Sequence, residues 1–536
     1  MLPKLPLAHQ HIAHARRRSS LASSRSSPED GSRPGTPSQE DEDVDPDQGN
    51  VLSSLIAQLR PGADLSRVVL PTFILEPRSM LERITNFMAH PETLLPMSQI
   101  DDPLERFVSV IRFYLSGWHI KPPGVKKPLN PILGEIFTSY WDYEDGTRGY
   151  YISEQTSHHP PKSSYFFMAP EHHIRIDGTL KPRGRFLGNS AASMMEGIAV
   201  LQFLNRGTEG RGERYHVTQP NMYARGILWG KMKYELGDHS FVRCPENDLI
   251  ADIDFKTRGY FSGTYNAIGG TIRNEKTGEI FYELSGLWNG EMFIKDVVTG
   301  QKELLFNARH AKHTPPLSRP IEEQEERESQ RLWHNTVLAL YDKNHQVATA
   351  EKTKIEERQR VEASTRAQEG LQWHPRLFRP VRGGPGGSEE GEEDLDWILN
   401  ANIDSHNPTL AAQQILAVYP ILKGQEVSHE FDIPPHHSQQ SGTSTSTPAE
   451  ATSQRPGQNN LIDFDDDPPS TTANSTQNSS GALVDLGNEK DEHSKTSDAA
   501  GMMAPLQPNT SAQQGRPLKR RDSDASDMDI FVDAQD

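Results

Sequence analysis

The chain has 536 residues, with 74 acidic against 56 basic side chains, a formal charge of −18 and only 34% hydrophobic residues. Its one cysteine, Cys244, excludes a disulfide within the chain and a thiolate zinc centre, and the acidic excess argues against a general nucleic-acid binder. No run approaches the roughly 20 apolar residues of a membrane span, and no apolar signal-peptide core precedes the basic cluster Arg16–Arg18. These features predict a cytoplasmic protein whose membrane contacts are peripheral.

Residues 1–50 are rich in Ser, Pro and Asp and poor in aromatics, so they cannot bury enough surface to offset the entropy of ordering. Leu52, Leu55, Ile56 and Leu59 then recur at i, i+3, i+4 and i+7, one apolar face of a short helix that ends at Pro61-Gly62. From Pro122 the pattern becomes β. Ala251, Ile253 and Phe255 alternate with Asp252, Asp254 and Lys256, and Met232, Tyr234 and Leu236 alternate with charged neighbours. Asp145-Gly146, Asp177-Gly178, Thr277-Gly278, Asn289-Gly290 and Thr299-Gly300 read as hairpin turns. The expected class is mainly β with α: a large antiparallel meander that curls into a barrel and so removes its exposed edges. The run from Ile321 to Gln368 reads as helical, followed by a glycine-rich breaker and by helical patches in DLDWILN and AAQQILAVYPIL. Beyond Gln425 the composition predicts a disordered acidic tail.

Chemistry concentrates in Glu154-Gln155-Thr156-Ser157-His158-His159-Pro160-Pro161. The prolines keep the backbone before them out of helical geometry, so a loop can aim the two imidazoles, each with an N–H to offer a phosphate. A bare histidine pair is more often a structural hydrogen-bonding pair than a ligand. Neither an H-E-x-x-H motif nor a third metal ligand at suitable spacing is present, and a hydrolase built on His158, His159 and Glu154 would lack a nucleophile motif. Further on, Lys352, Glu356 and Arg360 recur every fourth residue, a row about 12 Å long on one side of a helix. Without context, that row is a solvated helix face with internal ion pairs.

The octapeptide resembles the fingerprint of the oxysterol-binding protein-related family. Lys126-Lys127-Pro128-Leu129-Asn130-Pro131-Ile132-Leu133-Gly134-Glu135, Leu332-Trp333 and Trp373 with Pro375 follow in the family's order, and the likeness spans residues 51–380. The resemblance implies a near-complete antiparallel β-barrel around a lipid tunnel, a helical lid before it and helices after it. It implies a lipid-transfer protein, not an enzyme, without cofactor or metal. The expected organisation is an arm over 1–50, a lid over 51–66, the lipid-binding domain over 67–380, a helical extension over 388–424 and the tail over 425–536. Lys127, Asn130, His158, His159, Lys352, Glu356 and Arg360 are thereby expected at a phosphatidylinositol 4-phosphate headgroup, and Leu52, Leu55, Ile56 and Leu59 in the lid.

Leu70-Pro71-Thr72-Phe73-Ile74-Leu75-Glu76-Pro77 is similar to the fungal-like subgroup that carries phosphatidylserine, which adds Leu70 to the lipid site and lets Lys127 and Asn130 serve both headgroups. Gly184 departs from that subgroup, where a small hydroxyl residue is expected. The resemblance thus predicts exchange of phosphatidylserine for phosphatidylinositol 4-phosphate at endoplasmic reticulum–plasma membrane contacts, with sterol exchange or sensing and a phosphoinositide-sensing scaffold as the alternatives. The C-terminal residues resemble the acidic-tract motif that binds VAMP-associated proteins. Phe531, Asp533 and Ala534 match it and Ile530 and Val532 do not. The competing reading is an inert acidic terminus.

Overall fold

Alternation of apolar and polar residues turns into alternation of faces. The computed structural model describes Pro61 and residues 71–208, 212–227, 232–258, 263–381 and 395–425. A short parallel pair, β1 (Leu75–Ser79) and β2 (Lys127–Leu129), stands apart. The main sheet takes β3 (Ile136–Asp142), β4 (Arg148–Ser157), β5 (Lys162–Ala169), β6 (Ile174–Leu180), β7 (Pro182–Phe186), β8 (Ser190–Met195), β9 (Ile198–Thr208) and β10 (Gly212–Val217). It continues with β11 (Asn221–Arg225), β12 (Lys233–Cys244), β13 (Leu249–Lys256), β14 (Ala267–Asn274), β15 (Ile280–Leu287), β16 (Glu291–Asp296) and β17 (Lys302–Asn307). Among the described residues the order is β17-β16-β15-β14-β13-β12-β10-β9-β6-β5-β4-β3, with β7, β8 and β11 branching from β12. It has two ends, so the barrel is near-complete and not sealed by hydrogen bonds. The β3 end is covered by the chain around Leu317, whose backbone exchanges two hydrogen bonds with Tyr140 at 2.7 and 2.9 Å.

The interior is filled by a helix that strand patterning left unread, α1 (Pro103–Ser116). Asp102 caps it, accepting from the Leu104 and Glu105 amides at 2.9 and 2.8 Å, and Pro103 fits the first turn. Phe107, Val110, Ile111, Tyr114 and Leu115 form one buried face of α1, packed with Phe137, Tyr151, Leu201, Ile253 and Met292 from the inner faces of the strands. Arg106 anchors the helix through a paired contact to Glu213 on β10 at 2.8 and 2.7 Å.

The outer faces of β3, β4 and β5 are covered as well. Ile136, Ile152, Phe166 and Met168 pack with Leu377, Leu399, Ile415 and Ile421, so the chain over 395–425 forms a layer on the barrel. Two local expectations change. Trp397–Leu399, read as helical, is a strand paired with Phe378–Pro380, because Ile398 and Leu399 are buried against the barrel wall. Asp177-Gly178 lies inside β6, not in a turn. There the Tyr165 ring fills the space that a Cβ on residue 178 would need. The other four dipeptides sit between strands as expected. The predicted helical run divides into Ser329–Leu332, α2 (His334–Tyr341) and α3 (His345–Gln368), and AAQQILAVYPIL supplies most of α4 (Pro408–Val418).

Candidate functional site

Two prolines keep 126–135 extended and a buried carboxylate fixes its path. Leu129 and Ile132 face inward against Leu75 and Trp333. Glu135, fully buried, accepts from the Ile132 amide at 3.0 Å, Ser79 Oγ at 2.5 Å, Ser329 Oγ at 2.7 Å and Trp333 Nε1 at 3.0 Å. Burial pushes its pKa above the ordinary carboxylate value against the pull of these four donors. With the inner side so occupied, Lys127 and Asn130 lie exposed on the outer side. Lys126 donates to the Phe73 carbonyl at 2.7 Å, tying this segment to the residues just after the lid region. Gly134 makes the closing turn at φ +74°, with Trp373 3.4 Å from where a Cβ would stand. Replacing Gly134 by alanine is expected to cost about 1–2 kcal/mol for the left-handed backbone, read as a lower urea midpoint.

The histidine pair ends β4. His159 is exposed and His158 is largely enclosed, with the two rings 4.5 Å apart and edge-on. Burial first, then the neighbouring His159, holds His158 down to about 4, opposed by the Pro131 carbonyl. The folded chain therefore binds fewer protons here than the unfolded chain between about 4 and the ordinary 6.5. The stability it contributes is complete above 6.5 and disappears as pH falls towards 4. His158→Gln is expected to shrink the drop in urea midpoint between pH 7 and pH 5. His119, buried against His90 and likewise held down to about 4, adds to that slope with the lowered His173, His313 and His345, while the raised Glu82 and Glu154 oppose it.

Helix α3 brings the third group. Lys352 donates to Glu356 at 2.5 Å, both partly buried, and Arg360 is exposed one turn further on. Ile355 joins the cluster under Ile132. The key contact is one that charge patterning missed. Gln359, 8% exposed, accepts from the Leu133 amide at 2.7 Å and meets His158 Nε2 at 2.8 Å. It joins the three segments that carry Lys127 and Asn130, His158 and His159, and Lys352, Glu356 and Arg360. Its only sequence signal is a neutral residue in a highly charged run.

Glu154 does not belong to this cluster. It accepts from the Arg376 and Leu377 amides at 2.7 and 2.8 Å, and burial raises it to about 7. Among the described residues no group of side chains could hold a metal ion, and no helix is long and apolar enough to cross a membrane. Within the barrel an apolar cavity lies between α1 and the strands, walled by Phe87, Met88, Phe113, Tyr165, Ile176 and Leu201 among others. Leu70, the lid residues Leu52, Leu55, Ile56 and Leu59, and the tail residues Phe531, Asp533 and Ala534 lie outside the described residues.

A barrel with an apolar interior and a polar cluster built on Lys-Pro-Leu-Asn-Pro and His-His-Pro-Pro is matched by known proteins. The oxysterol-binding protein family model matches residues 54–341. The oxysterol-binding protein-like protein OBPalpha of Candida albicans is 47% identical over 397 residues, covering 73% of this chain and 90% of that protein. Oxysterol-binding protein homolog 7 of Saccharomyces cerevisiae is 50% identical over 392 residues, covering 72% and 87%. Among solved structures, the Osh1 ORD domain in complex with cholesterol superposes with a TM-score of 0.57 at 22% identity, covering 67% of this chain and 88% of that one, a likeness of fold. The chain belongs to the oxysterol-binding protein family, whose members bind or transfer lipids and are not enzymes.

Proposed function

We propose that this protein carries phosphatidylserine between membranes and returns with phosphatidylinositol 4-phosphate, the two lipids competing for one tunnel. The observation that carries the reading is the junction at Gln359, which holds the α3 row, the Lys127–Asn130 segment and the histidine pair in one assembly. A phosphomonoester brings several negative charges. Lys352, Arg360 and Lys127 answer them with cations, and Glu356 orients Lys352. The serine headgroup carries a carboxylate, a phosphate and an ammonium, for which Lys127 offers donors and Asn130 both a donor and an acceptor. The apolar side chains that wall the cavity beside α1 offer the kind of surface acyl chains require.

Gly184 lacks the hydroxyl expected at its position, but it pairs directly with Ser193 across β7 and β8. Residues opposite each other in an antiparallel pair project from the same face, so Ser193 offers a hydroxyl beside that position. Its contact with Met195 Sδ at 3.6 Å is weak and easily exchanged. The apolar face of Leu52, Leu55, Ile56 and Leu59 closes over the tunnel in this reading, Leu70 joins the serine site, and the Phe531–Ala534 tail tethers the protein to the endoplasmic reticulum through a VAMP-associated protein for exchange with the plasma membrane.

Extraction assays on liposomes test the cargo. The purified protein is expected to withdraw labelled phosphatidylserine, with phosphatidylinositol 4-phosphate competing. Withdrawal of sterol in its place would keep the fold and phosphoinositide site but overturn the cargo.

A further inference from the structure

Gln359 does more than hold three segments together. A backbone N–H can only donate, so the Leu133 amide at 2.7 Å requires Gln359 to turn its oxygen that way. The Gln359 nitrogen then faces His158 Nε2 at 2.8 Å, and it too can only donate. His158 Nε2 must therefore be the acceptor, and a neutral ring carries its proton on Nδ1. That Nδ1 is buried and meets no partner at hydrogen-bond geometry. The nearby Pro131 carbonyl favours the protonated ring without satisfying it. A buried donor left unpaired is costly, and a ligand oxygen that reaches it relieves that cost.

We propose that Gln359 is a positioning residue that locks His158 in the Nδ1–H tautomer, so that a neutral imidazole keeps one N–H in reserve for a phosphate oxygen of the bound lipid. The phosphate half of this rests on the exchange reading above, whereas the tautomer half rests on geometry alone. One consequence is selectivity for the acceptor-rich phosphomonoester, since a neutral donor rewards an anionic oxygen without adding a charge that must be desolvated when the site is empty.

The full-length chain labelled with 15N-histidine provides the test, with the His158 signals identified by their loss in His158→Gln. The unaltered protein without lipid, at pH 8, is expected to show the proton on Nδ1. Gln359→Glu keeps an acceptor for the Leu133 amide but has no N–H for His158, so the proton should move to Nε2. On liposomes the same variant is expected to bind phosphatidylinositol 4-phosphate at least about tenfold more weakly, the value of one charge-assisted hydrogen bond. Phosphatidylserine extraction should fall less than phosphoinositide binding, because Lys127 and Asn130 serve the serine headgroup without His158. An Nε2–H tautomer in the unaltered protein, or a tautomer indifferent to Gln359→Glu, overturns the proposal. An Nδ1–H tautomer in a protein that binds no phosphoinositide overturns the exchange reading and its phosphate contact, and leaves the control of His158 by Gln359 standing.

Discussion

Exchanging Lys352 and Arg360 together for glutamate is expected to abolish phosphoinositide binding, a loss of about 100-fold or more from two charge-assisted hydrogen bonds of about 1.5–3 kcal/mol each. The loss should exceed that figure, because Glu356 then stands without Lys352 and adds its own negative charge beside two new ones. Lys352 is partly buried and Arg360 exposed, and neither belongs to the apolar cluster that Ile355 joins, so the fold should be retained. Phosphatidylserine extraction should change far less, because Lys127 and Asn130 are untouched. Equal loss of both lipids in a protein with an unchanged urea midpoint would mean that the two headgroups share the α3 row, and the assignment of separate determinants would be wrong.

The largest stability effect is expected at Glu213→Ala. Arg106 and Glu213 are both about 4% exposed, and Glu213 provides the paired contact that Arg106 makes from α1 to the wall. Burial alone would raise Glu213, but hydrogen bonds from Arg106 and Tyr215 outweigh it and hold it below the ordinary value. Removing the carboxylate leaves a guanidinium in the barrel with only the Ile100 and Asp101 carbonyls as partners. Breaking a buried pair in this way costs about 3–5 kcal/mol, whereas replacing both members with apolar residues of similar volume is often neutral. Arg106→Met combined with Glu213→Leu should therefore recover most of the urea midpoint. A loss below about 1 kcal/mol for Glu213→Ala would show that water reaches Arg106 and that the helix is not sealed within the strands.

The two predictions draw on parts of the molecule that were unequally readable. Strict alternation over Ala251–Phe255 marked a half-buried strand, and β13 alternates as expected. In contrast, β4 and β5 are buried on both faces, inside by α1 and outside by the 395–425 layer, so no polar stripe reports their pleat. The helix α1 was legible and passed over: Phe107, Val110, Ile111 and Tyr114 recur at i, i+3, i+4 and i+7 behind the Asp102-Pro103 start signal. Trp397–Leu399 was misread because pairing with Phe378–Pro380 is a tertiary event that propensity does not contain.

At the site, His158-His159-Pro160-Pro161 stood out as an unusual run and the resemblance assigned the α3 row, while Gln359 carries no charge and becomes visible only when Leu133 and His158 are seen on either side of it. Lys127, Lys352 and Arg360 are the standing cations among the residues assigned to the headgroup, and enclosure keeps His158 neutral.

Transport between two liposome populations tests the central claim most directly. One population carries labelled phosphatidylserine, and the other carries phosphatidylinositol 4-phosphate or lacks it. The account predicts that the phosphoinositide accelerates phosphatidylserine delivery and moves in the opposite direction, with both fluxes lost in Lys127→Ala. Delivery of phosphatidylserine at the same rate with or without the phosphoinositide, or no counterflow, would contradict exchange and reduce the protein to a one-way carrier or sensor.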